Sequence, residues 1–398
     1  MTQGTMYKGY PKSTFQQTLV GLDYRHSEEA PESIFAHACV KAFRDLDWSR
    51  YGFTFTQVFE PGVLAEIAYW EGVPLAELAY LVYQPSSSIN ELASRLESLN
   101  EQSPIERINL ASVLITLSRF DLAERVVNSI GQTNDARLTF EIAWLRFMIS
   151  NRRDDGIYSA DAFASMRIAA TSGEVPIGRL LDASTQAIVW YLKRREVSRQ
   201  DLNWFVAKGA AIANRSAQAE PGSVSSWYRG IAMLPAAQGL KDETREYMEK
   251  ARRAADMAVE ANPGPVQMNF IKTYYESTLK EHLYVTRDFG QAVEAGTELI
   301  QLDPGWSVSY GELAEVYEKF GRKEDAAHLY MKAAELGPPY VGHHLLRAAE
   351  NWEAVASTAK AIKCYRKVLK MVPQNVEVIA AMKRCMSISQ NASSGSEE

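Results

Sequence analysis

Apolar residues recur at helical spacing through the last third of the chain. Tyr310, Leu313, Ala314 and Tyr317 stand at i, i+3, i+4 and i+7, which puts them on one face of a helix, and Ala326, Tyr330 and Ala333 form a second stripe after a break at Gly321. The pattern predicts two amphipathic helices joined by a short turn, with glycine relieving the backbone there. It also repeats. Pro304, Pro338 and Pro373 recur at intervals of 34 and 35 residues, and Ala292, Ala326 and Ala361 precede them by 12. Tyr330 and Tyr365 each follow their alanine by four positions. A period of this length marks stacked supersecondary units, each of which buries its apolar face only against its neighbours.

The order Tyr310, Leu313, Ala314, Tyr317, Gly321, Ala326, Tyr330, Ala333, Pro338 resembles the tetratricopeptide repeat family at nearly every signature position. That resemblance implies an all-α fold, a right-handed superhelical array of antiparallel helix pairs forming a solenoid. The unit from about Gly342 to Pro373 is a second copy, with Leu345, Ala348, Ala349, Trp352, Ala361, Tyr365 and Val368. The unit from about Thr273 to Pro304 keeps Leu279, Leu283, Ala292 and Leu299 but has Gly296 where an aromatic is usual. Val376 to Ser387 predicts a capping helix that turns Ile379, Met382, Lys383 and Met386 to the end of the stack. Ser389 to Glu398 is polar and is expected to be a disordered tail.

Upstream, capping signals carry the prediction. Ser88-Ile89-Asn90-Glu91 and Ser103-Pro104-Ile105-Glu106 each fit a capping box, the second with proline at the first helical position. Leu110, Ala111, Leu114, Ala123, Val127 and Ile130 then reproduce the repeat spacing, so Ser103 to Ile130 resembles another unit. Helices are predicted at Arg137 to Ile149, Ala160 to Ala170, Gly178 to Arg194, Arg199 to Ala217, Ser225 to Ala237 and Thr244 to Ala261. Trp227 and Pro263 fit the opening aromatic and closing proline of a repeat, but lie 36 residues apart, which predicts an insertion near Pro235 to Lys241. The expected organisation is a divergent helical N-terminal region over 1–100, degenerate helix pairs over 101–262, regular units with their cap over 263–388, and the tail over 389–398. Within 1–100, helices are expected at Ser33 to Leu46, Gly62 to Glu71 and Leu75 to Gln84, with the aromatic stretch Tyr51 to Phe59 as an extended loop packed on them.

Composition narrows the function. The 398 residues are 46% hydrophobic and carry a net charge of -6, which argues against a broad nucleic-acid footprint because phosphate binding needs a basic surface. No run reaches the roughly 18 uncharged apolar residues of a membrane span, and no signal peptide is recognised, so a cytoplasmic protein is expected. Cys39, Cys364 and Cys385 are far apart and without ligand spacing, and are expected as buried thiols of a reducing compartment. Neither G-x-G-x-x-G, a P-loop, G-x-S-x-G, H-E-x-x-H nor C-x-x-C occurs, so no cofactor, metal or catalytic residue is assigned and the chain is read as non-enzymatic. His343 and His344 point about 100° apart on a helix, and a place in its first turn suits them better than a shared metal.

In the family that the repeats resemble, the first helices of successive pairs line a groove for extended or helical peptides. By register the groove positions are Tyr274, Ser277, Glu281 and Tyr284 in one unit, Val308, Glu312, Glu315 and Lys319 in the next, and His343, Leu346, Arg347 and Glu350 in the third. Of these, Tyr274, Glu281, Tyr284, Glu312, Glu315, His343, Arg347 and Glu350 are the candidate partner-binding residues. Their acidic and aromatic character implies a basic or amphipathic protein segment as partner. Glu281, Glu315 and Glu350 stand where relatives that grip acidic chaperone tails have asparagine, which counts against such a ligand. A scaffold or adaptor is therefore expected. The alternative is an accessory subunit or enzyme working through the N-terminal cluster Asp45, Asp47, Trp48, Tyr51, Phe53, Phe55, Phe59 and Glu60. Sugar or peptide binding would use those groups, and so would anchoring of a loop on the helical core.

Overall fold

The computed structural model describes residues 98–394 apart from 117–119, 154–158, 195–196, 216–218, 264, 337–340 and 372–374. The expectations for 1–97, including the Ser88 capping box, the aromatic stretch and Cys39, lie outside the described residues, as do Pro338 and Pro373. Among the described residues the fold is all-α, with fifteen α-helices and no strand. They are α1 (Pro104–Thr116), α2 (Phe120–Ser129), α3 (Ala136–Arg153), α4 (Ser159–Ala170), α5 (Ile177–Arg194), α6 (Arg199–Ala213), α7 (Pro221–Gln238), α8 (Lys241–Ala261), α9 (Pro265–Glu281), α10 (Phe289–Leu302), α11 (Ser307–Lys319), α12 (Lys323–Leu336), α13 (Val341–Ala354), α14 (Thr358–Met371) and α15 (Val376–Ser394). None of them is long and apolar enough to cross a membrane. The chain divides into two compact units, and among the described residues the division falls between Glu281 and His282. The helix pair expected from Thr273 to Pro304 is split by it.

In the first unit the capping box opens α1 as its residue types require. The Ser103 amide donates to the Glu106 carboxylate at 2.7 Å and the Glu106 amide donates to Ser103 Oγ at 3.3 Å. An aromatic chain then links successive pairs, with ring centroids 4.9 Å apart for Phe147 and Phe163, 5.6 Å for Phe147 and Trp190, and 5.8 Å for Phe163 and Phe205. Small residues set how closely the helices approach. A Cβ on Gly209 would lie 2.4 Å from the ring of the buried Trp227, and one on Gly222 would lie 2.2 Å from that of Phe270. The insertion expected near Pro235 to Lys241 is not a loop. α7 and α8 are simply long, 18 and 21 residues, Pro235 is inside α7, and the turn is only Gly239 and Leu240. The extra length of this repeat went into helix, because the apolar stripe of α8 continues through Met248, Ala251, Ala255 and Ala258.

The second unit begins with a π-turn, His282–Thr286, and from α10 to α15 each helix packs on the next. Its core is built of alanines flanked by large rings: Ala314, Ala326, Ala348, Ala349 and Ala361 are wholly buried, with Tyr330, Trp352 and Tyr365 between them. Cys364 and Cys385 are buried free thiols, as expected from the sequence. α15 covers the end of the stack, though with Val378, Ala381 and Cys385 inward, while Met386 is exposed. Of the predicted stripe Met382 does pack against the core, partly buried, and the rest shifts to Val378, Ala381 and Cys385 because both sides of this helix carry apolar residues and Ala381 and Cys385, being small, fit closer. α15 also continues to Ser394, so the first residues of the expected tail are helical.

Three of the first helices end in one motif. Gly239, Gly321 and Ala356 each donate a backbone hydrogen bond to the residue three before (3.1, 3.1 and 3.0 Å), and the following amide reaches five back, Leu240 to Pro235, Arg322 to Tyr317 and Ser357 to Trp352. The geometry needs a positive φ, 76° at Gly239, 81° at Gly321 and 57° at Ala356. Alanine in that region is strained by about 1–2 kcal/mol. Ala356→Gly should therefore stabilise the protein by roughly 0.5–1 kcal/mol and Gly321→Ala should destabilise it by a similar amount, after the entropy of glycine in the unfolded chain is offset. Urea midpoints moving in opposite directions for the two variants would establish the equivalence of the two turns; movement in the same direction would refute it.

Candidate partner-binding face

In the second unit α11 and α13 lie side by side, so close that a Cβ on Gly311 would come within 2.5 Å of His344 Nε2. His344 is buried and stacks on Tyr330, with ring centroids 6.2 Å apart. Burial, reinforced by the neighbouring His343, pushes its pKa well below the ordinary value, so it is a neutral packing residue in the first turn of α13. Among the described residues no group of three or more His, Cys, Asp or Glu could hold a metal ion.

Around this contact stand the polar candidates. Glu312, Glu315, His343, Arg347 and Glu350 are all partly exposed on α11 and α13, and Lys319 is exposed at the end of α11. Tyr284, half exposed in the π-turn, donates its hydroxyl to Glu315. Arg347 reaches across from α13 to Glu318 on α11 while also pairing with Glu350. Burial alone would lower the Arg347 pKa, but Glu318 and Glu350 hold it above its ordinary value, fixing the guanidinium as a permanent cation. Glu350 is raised by burial, with Arg347 opposing. His343 falls to about 4 because of burial and the Arg347 charge, so it is neutral near pH 7. Glu312, Glu315, Glu318 and Glu350 stand against Arg347, Lys319 and Lys323, the last paired with Glu318 at 3.7 Å, so the face keeps an excess of carboxylate.

The remaining register positions differ from expectation. Val308 and Leu346 are buried, and Leu346 belongs to the core. Tyr274 and Glu281, in the first unit, are buried as well. They turn to α8 instead: Glu281 pairs with Arg245 at 3.1 Å, and Arg252 packs over the Tyr274 ring at 5.4 Å. α9 has no alanine and carries Glu276 where α11 has Tyr310, so the residues that fix the helix phase in the regular units are missing, and its long neighbour α8 supplies two arginines that Tyr274 and Glu281 meet. The face of α9 adjacent to α7 carries Thr273 and Ser277, to which Arg229 of α7 donates at 3.3 and 3.4 Å. Ser277 is thus held by Arg229 and by the Thr273 carbonyl, to which it donates at 2.9 Å.

Sequence reasoning missed the residue that organises the acidic face, Glu318. It lies in the last turn of α11 and accepts from the buried Tyr330 hydroxyl at 3.0 Å as well as from Arg347. The next repeat copies this: Glu353 accepts from Tyr365 at 2.7 Å and pairs with Arg384 of α15 at 3.2 Å. The equal 12-residue interval from each glutamate to its tyrosine was the available signal. Burial, then the adjacent Glu318, raises the Tyr330 pKa well above its ordinary value, so its proton stays in the bond. Tyr330→Phe should cost about 1.5–3 kcal/mol, the usual range for a hydrogen bond to a charged group, and Tyr330→Ala about 3–5 kcal/mol. Equilibrium denaturation reads both, and a Phe variant as stable as the parent would remove the hydroxyl from this account.

The first unit holds a contrasting carboxyl. Asp182, buried in α5, has its pKa raised to about 7 by burial against the opposing charge of Arg179, with Glu141 and Glu220 adding to the rise. Arg179 is itself engaged with Glu141 at 2.9 Å. The unfolded chain loses the Asp182 proton near 3.8 and the folded chain near 7, so this group's contribution to stability falls as pH rises between those values and is level above. Asp182→Asn should be more stable than the parent at pH 8 and should flatten the decline between about pH 4 and 7. Thermal midpoints across that range decide it; an Asn variant less stable at pH 8 would contradict the assignment.

Comparison with known proteins adds a family. Residues 308–339, which span α11 and α12, match the tetratricopeptide repeat. No curated protein matches the chain. Among solved structures, it resembles the C-terminal part of a TPR repeat-containing protein from Cytophaga hutchinsonii, at 14% identity and a TM-score of 0.38 over 69% of this chain and 99% of that one. A human IFIT1 dimer with m7Gppp-AAAA is similar at 13% identity and a TM-score of 0.47, covering 96% and 86% of the two chains. The TPR2AB domain of yeast Sti1 is similar at 16% identity and a TM-score of 0.24, covering 71% and 98%.

Proposed function

We propose that this chain, which carries a tetratricopeptide repeat at residues 308–339, is a non-catalytic interaction scaffold whose α11–α13 face binds a basic or amphipathic segment of a partner protein. The observation that carries this reading is the excess of carboxylate on that face, Glu312, Glu315, Glu318 and Glu350 around the single arginine Arg347. Arg347 is spent on Glu318 and Glu350, and Glu312 and Glu315 add two further carboxylates to the same face. Tyr284 adds an exposed ring beside Glu315, suited to the apolar side of an amphipathic segment. His343 is neutral there and contributes no repulsion to a cationic ligand near pH 7. Tyr274 and Glu281 are outside this proposal, being engaged with α8. The buried thiols Cys364 and Cys385 suit a reducing compartment and so a cytoplasmic address.

The test uses a labelled amphipathic Lys/Leu peptide as probe, titrated with the full chain by fluorescence anisotropy. Binding should weaken as salt rises, since the attraction is electrostatic. The double variant Glu312→Lys, Glu315→Lys should lose at least about tenfold in affinity, equivalent to roughly 1.4 kcal/mol, while its unfolding midpoint changes little, as expected at partly exposed positions. Equal binding by parent and double variant would place the site elsewhere.

A further inference from the structure

Several cations of the second unit are matched to carboxylates. Arg322 pairs with Asp325, Lys323 with Glu318, Arg347 with Glu318 and Glu350, and Arg384 with Glu353. α14 is different. Lys360, Lys363, Arg366, Lys367 and Lys370 are all exposed on it, and neither this helix nor the wider stretch 354–376 contains a carboxylate. None of the five has an ion pair among the described residues. Lys360 lies over the Trp352 ring at 3.9 Å. Glu353, on the helix that packs against α14, is committed to Tyr365 and Arg384 and leaves the five uncompensated.

The five share one face. At about 100° per residue their positions fall within an arc of roughly 120°, opposite Ala361, Cys364, Tyr365 and Val368, which are buried in the core. From Lys360 to Lys370 the stripe is roughly 15 Å long at 1.5 Å per residue. The stability of the helix does not call for it. Like charges one turn apart repel, as Lys363 does Arg366 and Lys367, and as Lys370 does the same two, and the helix dipole favours a cation only in the last turn, where Lys370 stands. The carboxylate excess of the unit is thus on α11 and α13, and its cation excess is on α14.

We propose that the outer face of α14 is a docking surface for an anionic lipid bilayer, on whose headgroups Lys360, Lys363, Arg366, Lys367 and Lys370 settle together. The makeup of the stripe favours a plane of diffuse negative charge. Four of the five are lysines, flexible point charges that need no fixed register over an array of headgroups, whereas pairing with single phosphates or carboxylates in a defined geometry favours arginine. A nucleic acid fits less well. α14 is held between α13 and α15 with its apolar side in the core, so it cannot enter a groove, and its exposed positions include no aromatic ring on which a base could stack. Val376, which is 75% exposed at the start of α15 and joined to Met371 by four residues, adds an apolar side chain that the interfacial region of a bilayer can take up. Attraction of this kind grows with the number of cations, is reversible and depends on salt.

The test floats the full chain with vesicles of phosphatidylcholine alone and with vesicles of phosphatidylcholine and phosphatidylserine mixed at about two to one. The chain should bind the mixed vesicles and not the neutral ones, and moderate salt should release it. Lys363→Glu with Lys367→Glu should lower the partition coefficient at least about tenfold, while Lys363→Arg with Lys367→Arg, which keeps the charge, should bind as the parent does. Both positions are exposed, so the unfolding midpoint of either double variant should change little, which separates lost binding from lost fold. An oligouridylate or an Asp/Glu-rich peptide, added at the same concentration of negative charge as the mixed vesicles, should leave the chain on them. Failure to bind the mixed vesicles, equal binding to both kinds, binding indifferent to the lysine reversal, or release by either competitor would each overturn the proposal.

Discussion

Glu318 and Glu353 close the last turns of α11 and α13, the first buried and the second partly buried against the core. A group in that position must receive donors from the protein. Its own helix pair gives one, the hydroxyl of Tyr330 or Tyr365, and the next helix in line gives the other, Arg347 or Arg384. Each carboxylate thereby ties its own helix pair to the next, and at Glu318 Lys323 of the same pair adds a further cation at 3.7 Å. The apolar contacts obey the same logic, since alanines at Ala314, Ala326, Ala348 and Ala361 have no accessible surface only because neighbouring helices approach within the reach of a single methyl group. Polar and apolar terms thus impose one spacing on the second unit, and Gly311, pressed against His344, shows how little room it leaves.

This spacing explains which features could be read from the chain. A repeat that is satisfied only by its neighbours must reproduce its contact residues at a fixed period, so Leu313, Ala314, Ala326, Tyr330, Ala361 and Tyr365 announced the helix pairs of the second unit and their buried faces. The capping box at Ser103 and Glu106 was equally legible because it is a local interaction of four residues. Legibility failed where a contact depends on partners far apart in sequence. The phase of α9 is set by Arg245 and Arg252 some thirty residues upstream, and nothing around Tyr274 and Glu281 reveals that they face α8. The length of α7 and α8 was misjudged for a related reason: proline at position 235 suggests a break, but in a helix held between Trp227, Gly230 and Thr185 the packing outweighs the lost hydrogen bond.

The candidate face was legible in its charge and less so in its geometry. Glu312, Glu315, His343, Arg347 and Glu350 do gather on α11 and α13, because these two helices keep the family register. The register could not show that Arg347 is committed to Glu318 and Glu350. An arginine counted from sequence as a basic element of the surface is in the structure a cross-link between helices, and its charge is consumed locally. That commitment makes the face more acidic toward a ligand than its composition suggests.

Charge accounting of this kind separates structure from function more sharply than burial does. Ion pairs such as Arg167 with Asp201 and Arg347 with Glu318 perform the same task, keeping a desolvated charge from destabilising the fold, and each is explained once its partner is named. Arg229, which donates from α7 to the Thr273 carbonyl and the Ser277 hydroxyl of α9, meets its own desolvation in the same manner, with neutral acceptors in place of a carboxylate.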